Sequence, residues 1–388
     1  MTEMAFGAMP VQVREPVLPK WWRTIDKWSM SAVMVLFGIG LLLGLAASVP
    51  LAERNNLDPY FYVRKQAFFG GLAMVAMAGV SMMSPSLIRR LGIIGFFFSV
   101  IALFALPFIG LDHGKGAVRW LSIAGFSLQP SEFLKPCFII VTAWLMAASQ
   151  DLNGPPGKTI SLAVTLVVAL FLAMQPDFGQ TMLVLFGWGV IYFVAGAPML
   201  LIFGVVGAVA LAGLTSYNFS EHFARRIDAF LNPEIDPRSQ IGYAVNAIQE
   251  GGFFGVGLGE GQVKWILPDA HTDFIIAVAA EEYGLVLVAL ILGLFCTIIV
   301  RSLVRLTQER DTFARLAGSG LACILGVQAM INMGVAVRLL PAKGMTLPFI
   351  SYGGSSVIAA GLTVGMLLAL TRSRPQGLIS DLFGRRGR

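Results

Sequence analysis

Asp269, His271 and Asp273 stand close together in LPDAHTDFIIAVAAEEYG (267–284), directly before a run that is apolar on every side. A carboxylate at the mouth of such a run is partly desolvated. Desolvation raises its pKa and suits a general base. The same position suits a plain helix N-cap, which favours Asp, and the residues alone do not separate the two. Glu281 and Glu282 follow inside the run, where both cannot face an apolar solvent, so at least one should pair within the protein.

A second set lies in GKGAVRWLSIAGFSLQPSEFLK (114–135), with Lys115, Arg119, Glu132 and Lys135. Glu132 and Lys135 are three residues apart and share a helix face. Gln129, Pro130, Ser131 and Glu132 form a plausible helix start, with Ser131 as the cap. The set reads either as a polar site for a charged head group or as a capped helix with a local ion pair. A third set is NMGVAVRLLPAKGMTLPFISYGGSS (332–356), where Arg338 and Lys343 lie on a stretch broken by Pro and Gly. Two such cations suit a phosphate, through charge-assisted hydrogen bonds, or serve as interfacial anchors. Tyr352, Gly353, Gly354, Ser355 and Ser356 lead into a last apolar run, where small residues allow close helix packing.

Other chemistries lack their motifs. There is no Walker loop, no HExxH and no Ser/His/Asp set. The stretch GGFFGVGLGEG (251–261) has no following GK[ST] and no βαβ context, so its glycines are read as tight turns or close backbone approach. With His113, His222 and His271 as the only histidines, no metal-ligand set is evident. Cys137, Cys296 and Cys323 lie in apolar runs and read as packing residues.

The elements that must position these residues follow from composition. Of 388 residues, 56% are hydrophobic and 13% charged, against about 25% charged in soluble domains. Such a chain cannot cover itself with polar surface in water. The expected fold is an all-α polytopic membrane protein. A β-barrel would alternate apolar and polar positions, which runs such as 29–50 do not. About ten transmembrane helices are expected, at 29–50, 67–84, 91–110, 132–149, 158–174, 179–195, 199–216, 274–300, 314–337 and 354–371. Gln175, Pro176, Asp177 and Gly179 break one long apolar stretch into a tight hairpin. The first run is too long for a cleaved signal peptide and reads as a retained span.

Basic residues collect on one side: Arg14, Lys20, Arg23 and Lys27, then Arg89 and Arg90, Lys158, the 301–315 segment and the C-terminal arginines. The net charge of +6 is then a positive-inside signal, with no nucleic acid implied. Both termini are expected in the cytoplasm, with 1–28 an N-tail, 29–371 the membrane domain and 372–388 a basic C-tail. Trp21, Trp22 and Trp28 would form an interfacial aromatic belt. The large outer loop between helices seven and eight, 217–273, is too long and too varied for a simple connection, and reads as an ordered, partly membrane-dipping cap. The three chemical sets all fall on this outer side, which suits an anionic lipid-linked substrate.

These segments resemble the SEDS family (shape, elongation, division and sporulation) over nearly the whole chain. The resemblance rests on GAVRWL with QPSEFLK, QPDFGQT (175–181), RRIDAFLNPE (225–234), LPDAHTDF with EEYG, and LPAKGMTLPFISYGGSS. Lys343-Gly344-Met345-Thr346 and the WWRTIDKW opening are similar to the division branch of the family. The chain departs from many members at Gly242-Tyr243-Ala244, at Glu260-Gly261 and at Asp269. The resemblance implies a peptidoglycan glycosyltransferase of the bacterial inner membrane at the division septum. Such an enzyme polymerises lipid II into nascent glycan on the outer face. Its partners would be a class B penicillin-binding protein (the transpeptidase FtsI), other divisome proteins and membrane lipids. The family's essential Asp maps onto Asp273, its Arg-Trp pair onto Arg119 and Trp120, and its QPSE-K residues onto Gln129, Ser131, Glu132 and Lys135. Arg119, Lys135, Arg338 or Lys343 would stabilise a leaving pyrophosphate. No cofactor is required by the reading, although a divalent cation could share that task. A lipid II flippase and a non-catalytic divisome scaffold are the alternative functions.

Overall fold

The computed structural model describes residues 16–110, 118–123, 126–219, 221–232, 237, 239–341 and 344–373. Helices dominate: α1 (Val17–Thr24), α2 (Lys27–Arg54), α3 (Phe61–Ser81), α4 (Pro85–Ile109), α5 (Pro130–Ala148), α6 (Gly157–Met174), α7 (Phe178–Val194), α8 (Met199–Phe219), α9 (Glu221–Leu231), α10 (Gln240–Gly251), α11 (Val263–Ile266), α12 (Ile275–Thr307), α13 (Thr312–Ala336) and α14 (Gly354–Leu370). A small antiparallel pair, β1 (Leu121–Ile123) and β2 (Phe126–Leu128), precedes α5 with Leu121 opposite Leu128. Polar residues set several starts. Asp26, Ser84, Asp177, Ser239 and Asp311 each accept a backbone N–H at the head of a helix.

The chain is an all-α multi-pass membrane protein, and ten long helices among the described residues fall on the ten expected spans. Seven are long and apolar enough to cross a membrane by length and composition, and α7 and α14 are shorter apolar helices. Helix α3 starts six residues before the expected 67, because Arg64, Lys65 and Gln66 occupy its first turns. Helices α5 and α13 bury most of their surface, while α4, α6 and α12 leave most of theirs facing outward. Helix α14 lies close against α3, as its small residues allow. A Cβ on Gly361 would stand 2.6 Å from the Ala73 carbonyl oxygen. No residue of α8 is buried.

The described chain ends meet at one end of the bundle, as an even number of spans requires. The Ser373 N–H donates to the Thr24 carbonyl at 3.2 Å. Arg301 and Arg305 hold the buried Asp26 carboxylate at 3.0 and 3.3 Å. Burial alone would raise the Asp26 pKa; the bonds from Arg301 and Ser29 and the Arg305 charge outweigh it and hold the carboxyl below its ordinary 3.8. One tryptophan departs from the expected belt. Trp21 is buried because its indole N–H finds Ser81 Oγ at 2.9 Å, whereas Trp22 and Trp28 are exposed.

Helix α12 is two arms. Gly284 (φ 76°, ψ −177°) interrupts it, and the glycine-rich stretch is spliced into the break. The N–H groups of Val256 and Gly257 donate to the Glu281 and Glu282 carbonyls, and those of Leu285 and Val286 donate to the Gly252 and Phe253 carbonyls. The expected close approach is therefore real: a Cβ at Gly255 would lie 2.2 Å from the Glu282 carbonyl oxygen. Both acidic side chains of the first arm are used. Glu281 accepts the N–H groups of Gln262 and Val263, and Glu282 pairs with the buried Lys264 at 2.5 Å.

Candidate functional site

The other end of the bundle gathers the three chemical sets, and its centre is a piece of non-helical backbone. Residues 344–353 run between α13 and α14, with Leu347, Phe349, Ile350 and Ser351 buried. Backbone away from water must find partners. Three side-chain amides on neighbouring helices supply them. Gln66 of α3 donates to the Ile350 carbonyl at 3.0 Å, and Gln328 of α13 donates to the Thr346 carbonyl at 3.1 Å. Asn332, one helical turn further along α13, donates to the Met345 carbonyl at 2.6 Å.

The same Asn332 Nδ2 also reaches the Asp273 carbonyl at 3.0 Å. One buried amide therefore ties the Asp273 loop to the 344–353 segment. Further bonds close this seam: Ser351 Oγ donates to the Thr272 carbonyl at 2.5 Å, and the Tyr352 N–H donates to the His271 carbonyl at 2.9 Å. Asp273 is half-buried and sits in the turn before α12. Its side chain faces the second strand of the seam, since a Cβ on Gly344 would stand 3.5 Å from Asp273 Oδ2. The cap of α12 is Phe274, with no side-chain cap bond, so Asp273 is not the helix cap that its position also suited.

Behind the seam runs a buried polar chain. Lys135 Nζ donates to Glu132 Oε2 and to Gln328 Oε1, each at 2.8 Å. Gln180 Nε2 donates to Glu132 Oε1 at 2.7 Å. The shared helix face of Glu132 and Lys135 thus becomes a buried ion pair. The cavity beside it, lined by Glu132, Lys135, Gln328 and Thr363, holds about 10 Å³, room for roughly one water. Ser131 does not cap α5. Pro130 occupies the first turn, which moves the cap to Gln129 and leaves Ser131 buried inside the helix. The Gln129 N–H donates to Ser355 Oγ at 3.3 Å, joining the second set to the third.

Arg119 serves the 175–177 hairpin, donating to the Gln175 and Pro176 carbonyls at 3.2 and 2.6 Å. It also lies near Asp177, whose carboxyl is pushed above its ordinary range by burial while the Arg119 charge pulls it down. Trp120 beside it is half-buried. Arg338 is held elsewhere, donating to the Phe230 and Asn232 carbonyls at the end of α9. Lys343 and Lys115 lie outside the described residues. Gln66, Gln180, Gln328 and Asn332 escaped the sequence reading; the available signal was a lone amide inside an apolar span. Among the described residues no group of three or more His, Cys, Asp or Glu could hold a metal ion.

This fold and site define a class. Residues 27–376 match the cell cycle protein family of FtsW, RodA and SpoVE, and the chain belongs to that family. The probable peptidoglycan glycosyltransferase FtsW of Caulobacter vibrioides is 44% identical over 357 residues, 92% of this chain and 91% of that relative. Stage V sporulation protein E of Bacillus subtilis is 32% identical over 350 residues, covering 87% and 94%. The fold matches a chain of a peptidoglycan synthase complex described as coordinating polymerization and crosslinking. That match has a TM-score of 0.74 and 28% identity, over 91% of this chain and 99% of the other. The rod shape determining protein RodA of Thermus thermophilus matches with a TM-score of 0.66 and 26% identity, over 90% and 97%.

Proposed function

We propose that the chain is a peptidoglycan glycosyltransferase that polymerises lipid II into β-1,4 glycan during septal wall synthesis. The observation that carries this reading is Asp273, half-buried at one end of the bundle and held by Asn332 against the 344–353 segment. The names of the FtsW relatives, 32–44% identical, support the activity. In the reaction, the acceptor's 4-hydroxyl oxygen bonds to the anomeric carbon of the lipid-linked donor. The bond from that carbon to phosphate breaks, and undecaprenyl pyrophosphate leaves with the electron pair. Asp273 takes the hydroxyl proton, and displacement from the opposite face inverts the donor centre. A positioned base contributes about 10²–10⁴-fold. Arg119 and Trp120 border the site, and Gln129, Ser131, Glu132 and Lys135 build its floor. Arg119, Lys135, Arg338 or Lys343 stabilises the leaving pyrophosphate electrostatically.

The site end faces the periplasm and the Asp26–Arg301 end the cytoplasm, in keeping with the positive-inside rule. Residues 1–28 and 372–388 are then cytoplasmic tails around a 29–371 membrane domain, with 217–273 the large periplasmic loop. The chain works at the septum beside a class B penicillin-binding protein such as FtsI and other divisome proteins, a pairing that the synthase-complex likeness supports. Lipid II translocation is the lesser reading, because the cavity beside the buried polar chain holds only about 10 Å³. The test is polymerisation of labelled lipid II by purified protein with its transpeptidase partner. Asp273→Asn should fold normally and lose about 10²–10⁴-fold in rate. Full activity in that variant removes Asp273 as the base.

A further inference from the structure

The Asp26 end of the bundle carries a short helix that the motifs do not use. Helix α1 presents three different faces. Trp21 and Ile25, four residues apart, turn inward and are buried. Leu18 and Trp22, also four apart, are 62% and 50% exposed. Lys20 and Arg23, three apart, form an exposed basic edge. Extended backbone at Ile25 and Asp26 ends α1 and starts α2, so the two helices are separate. The first turn of α2 repeats the pattern: Lys27 and Trp28 are exposed, Trp28 at 68%. Lys27 Nζ stands 5.3 Å over the Trp22 ring, which joins the two turns into one surface.

This surface is tied down from behind. Trp21 is bonded to Ser81 at the end of α3, and the Thr24 carbonyl accepts from Ser373 beyond α14. Helix α1 is thus held on the bundle while Leu18 and Trp22 stay uncovered. Val35, two turns along α2 on the same face as Trp28, is exposed too, so Trp28 stands where lipid begins. Between Val17 and Ser29 the only acid is Asp26, and it is buried against Arg301 and Arg305. No exposed carboxylate therefore lies within 17–29. Aromatic groups beside cations, on a helix set apart from the span it precedes, are the composition of a helix lying in the headgroup layer.

We propose that α1 and the first turn of α2 bind anionic phospholipid in the leaflet at this end, with Lys20, Arg23 and Lys27 on headgroup phosphates and Leu18, Trp22 and Trp28 among the acyl chains. The ligand class follows from charge. A zwitterionic headgroup carries its own cation and gains little from three more. A net anionic surface strengthens attachment roughly fivefold per Lys or Arg near it, and roughly 100-fold for three. The inference is independent of the glycosyltransferase reading, since it concerns the end of the bundle opposite Asp273.

The experiment is tryptophan quenching by brominated lipid, with the full chain in bilayers of phosphatidylcholine and phosphatidylglycerol. Matched samples carry bromine on the acyl chains of one lipid or of the other, and W22F/W28F supplies the background of the remaining tryptophans. At low salt, phosphatidylglycerol should be enriched at least about fivefold over phosphatidylcholine at Trp22 and Trp28. K20Q/R23Q/K27Q should lose the preference and keep the wild-type melting temperature, because all three side chains are exposed. K20R/R23K/K27R should retain it. Raising salt from about 0.05 to 0.5 M should remove most of the wild-type preference, a result that needs no variant to fold. Equal quenching by the two lipids overturns the proposal, as does an unchanged preference in K20Q/R23Q/K27Q or one that high salt leaves intact. Quenching by neither lipid would put Trp22 and Trp28 in water or under protein, and overturns it as well.

Discussion

Replacing Lys135 by Met should be among the most damaging single changes in the membrane domain, and the reason can be isolated. Lys135 and Glu132 are each 5% exposed, and their charged groups lie 2.8 Å apart. Removing the ammonium leaves Glu132 with only the Gln180 amide as a side-chain donor. An unpaired buried charge costs about 3–5 kcal/mol. Glu132→Gln alone should cost a similar amount, because it strands the ammonium with Gln328 as its one remaining side-chain acceptor. The double variant Glu132→Gln/Lys135→Met strands no charge. It leaves one amide oxygen of Gln328 without its donor, at about 1–3 kcal/mol. The two single costs therefore sum to about 6–10 kcal/mol while the double costs about 1–3, a coupling of several kcal/mol. SDS titration of the purified protein in mixed micelles measures all four chains. Costs that simply add would refute the buried-pair account. A double variant restored in stability but inactive with lipid II would place the pair in the working site and not in the scaffold alone.

Three further outcomes follow from the same geometry. Asn332→Leu deprives the Asp273 and Met345 carbonyls of their shared donor, at about 2–3 kcal/mol; polymerisation should fall through kcat more than through KM, and an unchanged kcat would separate the seam from catalysis. Gly284→Ala should destabilise by at least about 1–3 kcal/mol, because φ 76° with ψ −177° is a conformation for glycine alone and the new Cβ would meet the Phe253 carbonyl oxygen at 2.2 Å; a melting temperature equal to wild type would contradict the spliced break. Asp26 has a lowered folded pKa, so its contribution is present above the ordinary 3.8 and is lost as pH falls through the lower folded value. Asp26→Asn should accordingly remove part of the acid-side stability loss below about pH 4 and lower stability at pH 7, and an acid limb identical to wild type would count against the Arg301–Asp26–Arg305 cluster as its source.

Much of this fold was legible because lipid imposes a simple ruler. Apolar runs near 20 residues located the spans, and the Pro176 break located the 175–177 hairpin. The i,i+3 spacing of Glu132 and Lys135 anticipated their pairing. What stayed hidden was the role of neutral polar residues. Gln66, Gln328 and Asn332 bond to backbone carbonyls, and their partners lie 284, 18 and 13 residues away in sequence. A carbonyl has no sequence signature, so such pairs cannot be read from spacing. Ser131 and Trp21 failed for a related reason: Pro130 moved the helix start, and Ser81 offered the indole a partner sixty positions distant.

The cations show the same logic working on function. Sequence placed Arg119, Lys135 and Arg338 at the right end of the molecule and offered them to a phosphate. The structure gives each of them protein partners: the hairpin carbonyls, Glu132 with Gln328, and the carbonyls closing α9. Arg119 and Arg338 find carbonyls because this end has broken backbone at 175–177 and at the end of α9, whereas Lys135 meets side chains of α5 and α13. Helix interiors satisfy their own carbonyls; breaks do not, and a cation beside a break is drawn to it. Arg64 and Lys65 differ in this respect. They stand on an unbroken helix whose carbonyls are already bonded, and they point outward over aromatic walls.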